Sequence, residues 1–210
     1  MCSKFVLNQV NISQLERDSN GQINILINLM CETIINEMKS TKTEEIFELI
    51  KNNDINEANS WNIPQFSSFN NGTIFLIKKL RMGGNYGPTF KEIGEQFLGQ
   101  GKKKGAYVKY GENHAKLGQL YDLVYIKKDG VSRVYLSTLG KMLESLEINE
   151  QKKLLSKFSF KIPIIQQCVK YDILNPDEVM ELLMKYLSES TALRRKSNVI
   201  TILKMLGLKL

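Results

Sequence analysis

The sequence predicts a mainly α-helical protein with a small β-hairpin wing, in which a winged helix-turn-helix is flanked by further helices. Three observations favour this fold class. Apolar residues recur with helical periodicity over most of the 210 residues. One short region instead alternates apolar and polar residues around an Asp-Gly pair, as a hairpin does. Between residues 71 and 146 the predicted order is helix, helix, helix, hairpin, which is the order of a winged helix-turn-helix.

Residues 71–146 begin with three predicted helices. The segment 71–80 (NGTIFLIKKL) has an apolar face, and a glycine-rich turn (GGNYGP) leads to a second helix over 89–99. The third and longest helix is predicted over 106–124. A cluster of lysines precedes it: Lys102, Lys103 and Lys104.

The third predicted helix separates into faces. One stripe is polar and consists of Lys109, Glu112, Asn113, Lys116 and Gln119. A second stripe is mostly small and consists of Val108, Gly111, Ala115 and Gly118. Small residues let another helix approach closely, as a helix-turn-helix core requires. Lys, Asn and Gln side chains are suited to base edges and phosphates in a major groove. A plain solvated helix face would look similar, and that alternative stays open.

The hairpin prediction depends on Asp129-Gly130, because glycine permits the positive φ of a tight turn. In the second predicted strand, Val134 and Leu136 alternate with polar neighbours, as in a half-buried strand. Thr138 is predicted to cap the following helix, 138–146. The wing carries three cations: Lys127, Lys128 and Arg133.

Positive charge is concentrated in the predicted winged helix. Residues 74–143 contain 13 Lys and Arg against 5 Asp and Glu, a net charge of +8. Residues 1–73 carry a net charge of −4 and residues 144–210 a net charge of +3, which together give the +7 of the chain. A basic region of this kind can displace counterions from a phosphate backbone.

The sequence predicts four regions along the chain. These are a helical N-terminal segment for dimerisation or partner contact (1–55), a linker (56–70), the winged helix-turn-helix (71–146), and C-terminal helices that pack on it (147–210). In the linker we expect Trp61 to anchor the chain against a core. No run of about 18 apolar residues and no signal peptide is recognised, so we expect a cytoplasmic protein without a membrane partner.

The N-terminal segment contains two predicted helices. The first, 22–39, is strongly periodic, and the second, 43–52, is capped by Thr43 with acidic residues in its first turn. We expect the first helix to bury a broad apolar face: Ile23, Leu26, Ile27, Met30, Thr33, Ile34 and Met38.

The last predicted helix, 191–208, is capped by Ser190 or Thr191. Arg194 and Arg195 then fall in its first turn, where cations oppose the helix dipole. Their presence favours an external anion such as a DNA phosphate, although a solvated basic turn would have the same sequence.

No catalytic constellation is recognised. His114 is the one histidine, which excludes a His-x-x-x-His metal site, and we expect it at an interface or core edge. Pro176-Asp177-Glu178 suits a helix start better than a nuclease motif. The cysteines, Cys2, Cys31 and Cys168, are too scattered for a disulfide framework or zinc. We predict no catalytic residue, metal or cofactor, and a non-enzymatic role is favoured.

Three segments carry a resemblance to a known family. Residues 110–120 (YGENHAKLGQL), the wing followed by 136–140 (LSTLG), and 188–197 (SESTALRRKS) resemble the winged-helix module of restriction-modification-associated proteins. Ser137 stands where that pattern has threonine. The resemblance implies binding of double-stranded DNA, as a regulator or as a specificity or accessory subunit of a restriction-modification or defence system. It also implies a homodimer or a restriction-modification subunit as partner.

Two other functions stay open. A restriction-type nuclease with a degenerate metal motif would also bind DNA. A winged helix used for protein contacts would not.

Overall fold

The computed structural model describes residues 1–19, 24–66 and 69–208. The first two residues of the predicted helix 22–39, and residues 67 and 68 of the predicted linker, lie outside the described residues. Within the described part the chain is mainly helical with one two-stranded antiparallel sheet, which confirms the predicted class at this level.

The helices of the described part are α1 (Cys2–Val6), α2 (Ile12–Asp18), α3 (Asn24–Ser40), α4 (Thr43–Lys51), α5 (Phe69–Met82), α6 (Phe90–Leu98), α7 (Lys104–Leu120), α8 (Thr138–Glu144), α9 (Ile148–Phe158), α10 (Pro163–Lys170), α11 (Pro176–Met184) and α12 (Glu189–Met205). The strands β1 (Val124–Asp129) and β2 (Val131–Leu136) lie between α7 and α8, and a 3₁₀ turn, Ser159–Lys161, lies between α9 and α10.

The chain divides into two compact units. Unit 1 consists of Met1–Val10, Ile34–Gln65 and Lys152–Leu210. Unit 2 consists of Asn11–Thr33 and Phe66–Gln151. The predicted winged-helix region, 71–146, therefore lies wholly in unit 2, whereas the predicted N-terminal segment, 1–55, is divided between the units.

Unit 1 has an aromatic core. Phe5 of α1 packs edge-on against Phe158 of α9, with ring centroids 5.1 Å apart. Phe47 of α4 packs in the same way on Phe160 of the 3₁₀ turn, at 5.3 Å. These contacts join the start of the chain to its C-terminal helices, and edge-to-face geometry is favourable for such pairs.

The segment predicted as a linker is bound to unit 1. Nη1 of Arg195 donates to the carbonyl oxygens of Ser60 (2.9 Å) and Ile63 (2.8 Å), and Ile63 is buried. Trp61 is 76% exposed, so its predicted role as an anchor is wrong. Ile63 and the Arg195 hydrogen bonds hold this segment instead, and they leave the indole in solvent.

The buried face of α3 differs from the predicted one. Its buried residues are Ile27, Cys31, Ile34, Ile35 and Met38. Leu26 is 54% exposed and Met30 only half-buried, so their predicted place in the buried face is wrong. The helix contains more apolar residues than one face can bury, and Cys31 and Ile35 complete the stripe at helical spacing.

Three predicted helix caps are displaced by one or more residues. Ser137, not Thr138, caps α8, and its Oγ accepts a hydrogen bond from the Gly140 N–H (2.9 Å). Lys42, not Thr43, is the N-cap of α4, and Ser188, not Ser190 or Thr191, is the N-cap of α12. In each case the extended backbone of the N-cap falls earlier than the side-chain preference suggested.

Asp122 forms a buried corner in unit 2. Its φ is +58°, a left-handed conformation that aspartate tolerates better than most residues. Its carboxylate accepts hydrogen bonds from the Ser13 hydroxyl (2.8 Å) and from the N–H groups of Ile12 and Ser13 at the start of α2. Its carbonyl accepts from the Ser137 hydroxyl (2.6 Å). This corner ends α7 at Leu120, earlier than the predicted 124.

Helices α6 and α7 cross with their backbones in contact. A Cβ atom on Gly94 of α6 would lie 1.9 Å from the carbonyl oxygen of Tyr107. A Cβ atom on Gly111 of α7 would lie 1.9 Å from the carbonyl oxygen of Phe90. Both distances are far below van der Waals contact, so only glycine fits. The predicted close approach of a second helix is confirmed at Gly111, whereas Val108 is exposed and takes no part in the crossing.

The predicted hairpin is confirmed. β1 and β2 pair from Val124–Leu136 to Asp129–Val131, and Gly130 has a φ of +66° at the turn. The segment before α6 lies along the outer edge of β2, where the Val134 N–H donates to the Pro88 carbonyl (3.0 Å). The hairpin is thereby attached to the start of α6.

The glycine crossing makes a testable prediction. Gly111→Ala should reduce the free energy of unfolding by about 1–3 kcal/mol or more, because the added methyl group overlaps the Phe90 backbone. Gly105→Ala is the matched control in the same helix, because a Cβ there meets open space. It should leave stability unchanged or raise it by up to about 1 kcal/mol. Urea unfolding of both variants measures the difference, and equal stabilities would contradict the crossing.

Candidate nucleic-acid interface

A capping box fixes the start of α6. The Glu92 N–H donates to Thr89 Oγ1 (3.3 Å), and the Thr89 N–H donates to Glu92 Oε2 (2.7 Å). The Tyr86 hydroxyl donates to Glu92 Oε1 (2.7 Å). The Thr89 backbone hydrogen bond and then that of Tyr86 lower the pKa of Glu92, so the carboxylate stays ionised at neutral pH. The Thr-x-x-Glu spacing was present in the sequence as a signal for this cap.

Tyr107 clamps the turn that carries the lysine cluster. Its hydroxyl donates to the Gly99 carbonyl (2.8 Å) and accepts from the Lys102 N–H (2.9 Å). The turn between α6 and α7 is therefore tied to the first turn of α7. Lys102, Lys103 and Lys104 are all exposed at this end of the helix. Sequence reasoning missed Tyr107, because spacing alone does not reveal a hydroxyl bonded to a turn.

The polar stripe of α7 has an ion-pair network at its centre. Glu112 pairs with Lys116 (2.7 Å) and with Lys109 (3.2 Å). The Lys116 hydrogen bond is the main cause of the lowered pKa of Glu112. Lys109 is exposed, whereas Lys116, Asn113 and Gln119 are half-buried. The stripe is thus most accessible in the first half of the helix.

The wing presents lysine on an aromatic base. The rings of Tyr125 and Tyr135 stack across the two strands, with centroids 5.5 Å apart. Lys127 Nζ lies 5.6 Å and 5.9 Å from the two centroids, within the range of a cation–π contact. Lys127 and its neighbour Lys128 are both exposed. These two lysines are the cations at the free end of the wing.

Arg133 has a different position from the other wing cations. Its Nη1 donates to the Gly87 carbonyl (2.8 Å), and its guanidinium carbon lies 5.6 Å from the centre of the Tyr86 ring. Hydrogen bonding with Tyr86 raises the pKa of Arg133. The side chain therefore joins the hairpin to the turn before α6, and its remaining donors face outward only in part.

Arg194 and Arg195 belong to unit 1, unlike the other predicted contact residues. Since α12 begins at Glu189, both fall in its second turn, and the predicted crowding of the first turn is wrong. Arg194 donates from Nε to the Ser190 carbonyl (3.2 Å) and from Nη2 to Thr191 Oγ1 (3.2 Å). Arg195 binds the 60–63 segment. Both guanidinium groups thus make local contacts within unit 1.

Ten of the twelve predicted contact residues lie in unit 2, on α7, on the turn before it and on the hairpin. Comparisons of the chain with family models, curated proteins and solved structures give no significant match. Among the described residues, no three His, Cys, Asp or Glu side chains converge on a possible metal site. None of the described helices combines the length and apolar character needed to span a bilayer.

His114 lies in the core beneath this surface. Its ring stacks on Phe97 of α6, with centroids 4.2 Å apart, and Tyr110 lies at 4.9 Å. On the α5 side, a Cβ on Gly72 would meet the imidazole at 2.6 Å. Both ring nitrogens are buried without a hydrogen-bond partner among the described residues. Burial lowers the pKa of His114 to about 4.

His114 should make unit 2 sensitive to acid. An unfolded imidazole has a pKa of about 6.5, so it takes up a proton that the folded protein accepts only near pH 4. The stability is therefore fully present above pH 6.5 and falls as the pH drops from 6.5 to 4, by about 3 kcal/mol in total. Urea unfolding at a series of pH values measures this slope.

His114→Phe is the control variant, because it keeps a flat ring without a titrating group. The carboxylates of the chain titrate in both proteins, so the difference between the two slopes isolates the histidine. Parallel slopes for wild type and His114→Phe between pH 6.5 and 4 would rule out this account of the buried imidazole.

Proposed function

We propose that the chain binds double-stranded DNA through a winged helix-turn-helix formed by α5, α6, α7 and the β1–β2 hairpin. In this proposal α7 enters the major groove and the hairpin lies on the adjacent backbone. The observation that carries the proposal is the glycine crossing of α6 and α7. It holds α7 across α6 so that the first half of α7 and the lysines before it face solvent.

The charges supply affinity in this proposal. Residues 74–143 have a net charge of +8, and five exposed lysines lie at the start of α7 and at the wing. Lysines in these two places can contact phosphates on either side of a groove. Such contacts position a protein on DNA but do not select its sequence. The contact lysines are Lys102, Lys103, Lys104, Lys127 and Lys128.

The polar stripe of α7 supplies selectivity. Asn113 and Gln119 can form paired hydrogen bonds with adenine, and Lys109 and Lys116 can bond guanine. In the free protein Glu112 holds both lysines in ion pairs. A DNA site must therefore compete with the Glu112 carboxylate for these lysines. That competition weakens contacts with phosphates alone and favours sites that also satisfy Asn113.

The biological role is inferred from the resemblance of residues 110–120, 136–140 and 188–197 to restriction-modification-associated winged helices. We propose a regulator, or a specificity or accessory subunit of a restriction-modification or defence system. Magnesium-dependent cleavage of bound DNA would instead identify a nuclease. Absence of salt-dependent DNA binding would leave a winged helix used for protein contacts.

Lysine replacement tests the affinity contacts. Binding to a random duplex should weaken with salt, with a log–log slope of about −0.9 per phosphate neutralised. Replacing Lys102, Lys103 and Lys104 together by Ala should flatten the slope by about two to three units. The matched control removes three exposed lysines of unit 1: Lys152, Lys153 and Lys204. The control should keep the wild-type slope, and equal slopes for both triple variants would remove the cluster from the interface.

Asn113 tests selectivity once selection from random duplexes has supplied a preferred site. Asn113→Ala should weaken binding to that site by about 1–3 kcal/mol. It should leave binding to random duplexes almost unchanged, because that binding is electrostatic. Fluorescence anisotropy with both duplexes measures the two affinities. An equal loss on both would show that α7 does not read sequence at this residue.

A further inference from the structure

The first half of α3 has an exposed apolar patch on the side opposite its buried face. Ile25 is 87% exposed, Leu26 54% and Leu29 60%. With about 3.6 residues per turn, these three side chains share one face of the helix. The same face becomes polar from Glu32 onward, so the patch is confined to the first turns. Grouped large apolar side chains in solvent mark contact sites.

The patch is uncharged in a unit that is otherwise basic. Asn24 and Asn28 flank it, and Glu32 is the first charged residue of α3. All of residues 74–143, with their net charge of +8, lie in the same unit. Two copies that met through the basic surface would repel each other, whereas contact between two patches opposes no like charges. The charge distribution therefore favours a second copy of the chain on this face.

We propose that Ile25, Leu26 and Leu29 form the centre of a contact between two copies of the chain. The two α3 helices would cross at a twofold axis, with the same patch contributed by each copy. Asn24 and Asn28 can hydrogen-bond at the rim. Three side chains from each copy cover less than the roughly 800 Å² per partner of a standard interface. The dimer should accordingly dissociate on dilution.

Pairing has a consequence that rests on the proposed DNA binding. The patch and α7 belong to the same compact unit, so a dimer carries two α7 helices related by the twofold axis. Helix-turn-helix dimers bind half-sites spaced by one helical turn of about 34 Å or its multiples. The preferred site should then be an inverted repeat.

Cysteine cross-linking tests the contact directly. The three native cysteines are free and buried, so a cysteine introduced at the surface is far more accessible. Leu29→Cys has a matched control in Leu193→Cys, because Leu193 of α12 is a leucine with 65% exposure in the other unit. Oxidation of the full chain with copper phenanthroline should link Leu29→Cys into dimers and leave Leu193→Cys mainly monomeric. Equal linking of both variants, or linking of neither, would overturn the proposal.

Sedimentation equilibrium gives a second, independent test. The wild type should shift from monomer to dimer with rising concentration, and Leu26→Glu/Leu29→Glu should remain monomeric. Both positions are exposed, and circular dichroism checks that the variant is folded. A wild type that stays monomeric, or a variant that still dimerises, would refute the contact. Binding of a random duplex, measured in the same samples, judges the proposed function separately, because monomers retain the lysines of α7 and the wing.

Discussion

The backbone contact between α6 and α7 is the constraint on which the rest of unit 2 depends. Gly94 and Gly111 bring the two helices so close that no side chain fits between them. The Thr89–Glu92 capping box fixes one end of α6, and Tyr107 fixes the turn at the other. With both ends held, the direction of α7 and the placement of its lysines follow from the crossing.

The hairpin and the N-terminal segment of unit 2 are attached to this helix pair by polar contacts. Arg133 and the Val134 N–H bond the turn before α6, so the hairpin is tied to the crossing. Asp122 joins the end of α7 to the start of α2, and Glu16 of α2 accepts hydrogen bonds from the backbone and hydroxyl of Thr138. These buried polar groups are mutually satisfied, which favours one arrangement of the elements.

Much of the fold could be predicted because it is encoded in local patterns. Helical periodicity located the main helices, and Asp129-Gly130 located the hairpin. The cap at Ser137 and the exposure of Trp61 could not, since both depend on tertiary contacts. The same limit applies to the candidate site. Its cations were visible in the sequence, but the pairing of Glu112 with two lysines, the clamp by Tyr107 and the bracing role of Arg133 depend on which side chains the fold brings together.

The central claim is that α7 and the wing of unit 2 form the surface that meets DNA. Backbone amide chemical shifts, followed by NMR during addition of a short random duplex, test it most directly. The account predicts that the largest shifts cluster at residues 102–116 and at Lys127 and Lys128, and that they shrink as salt rises. Shifts concentrated in α11 and α12 of unit 1, or no shifts at a duplex concentration that saturates the lysines of a bound protein, would contradict it.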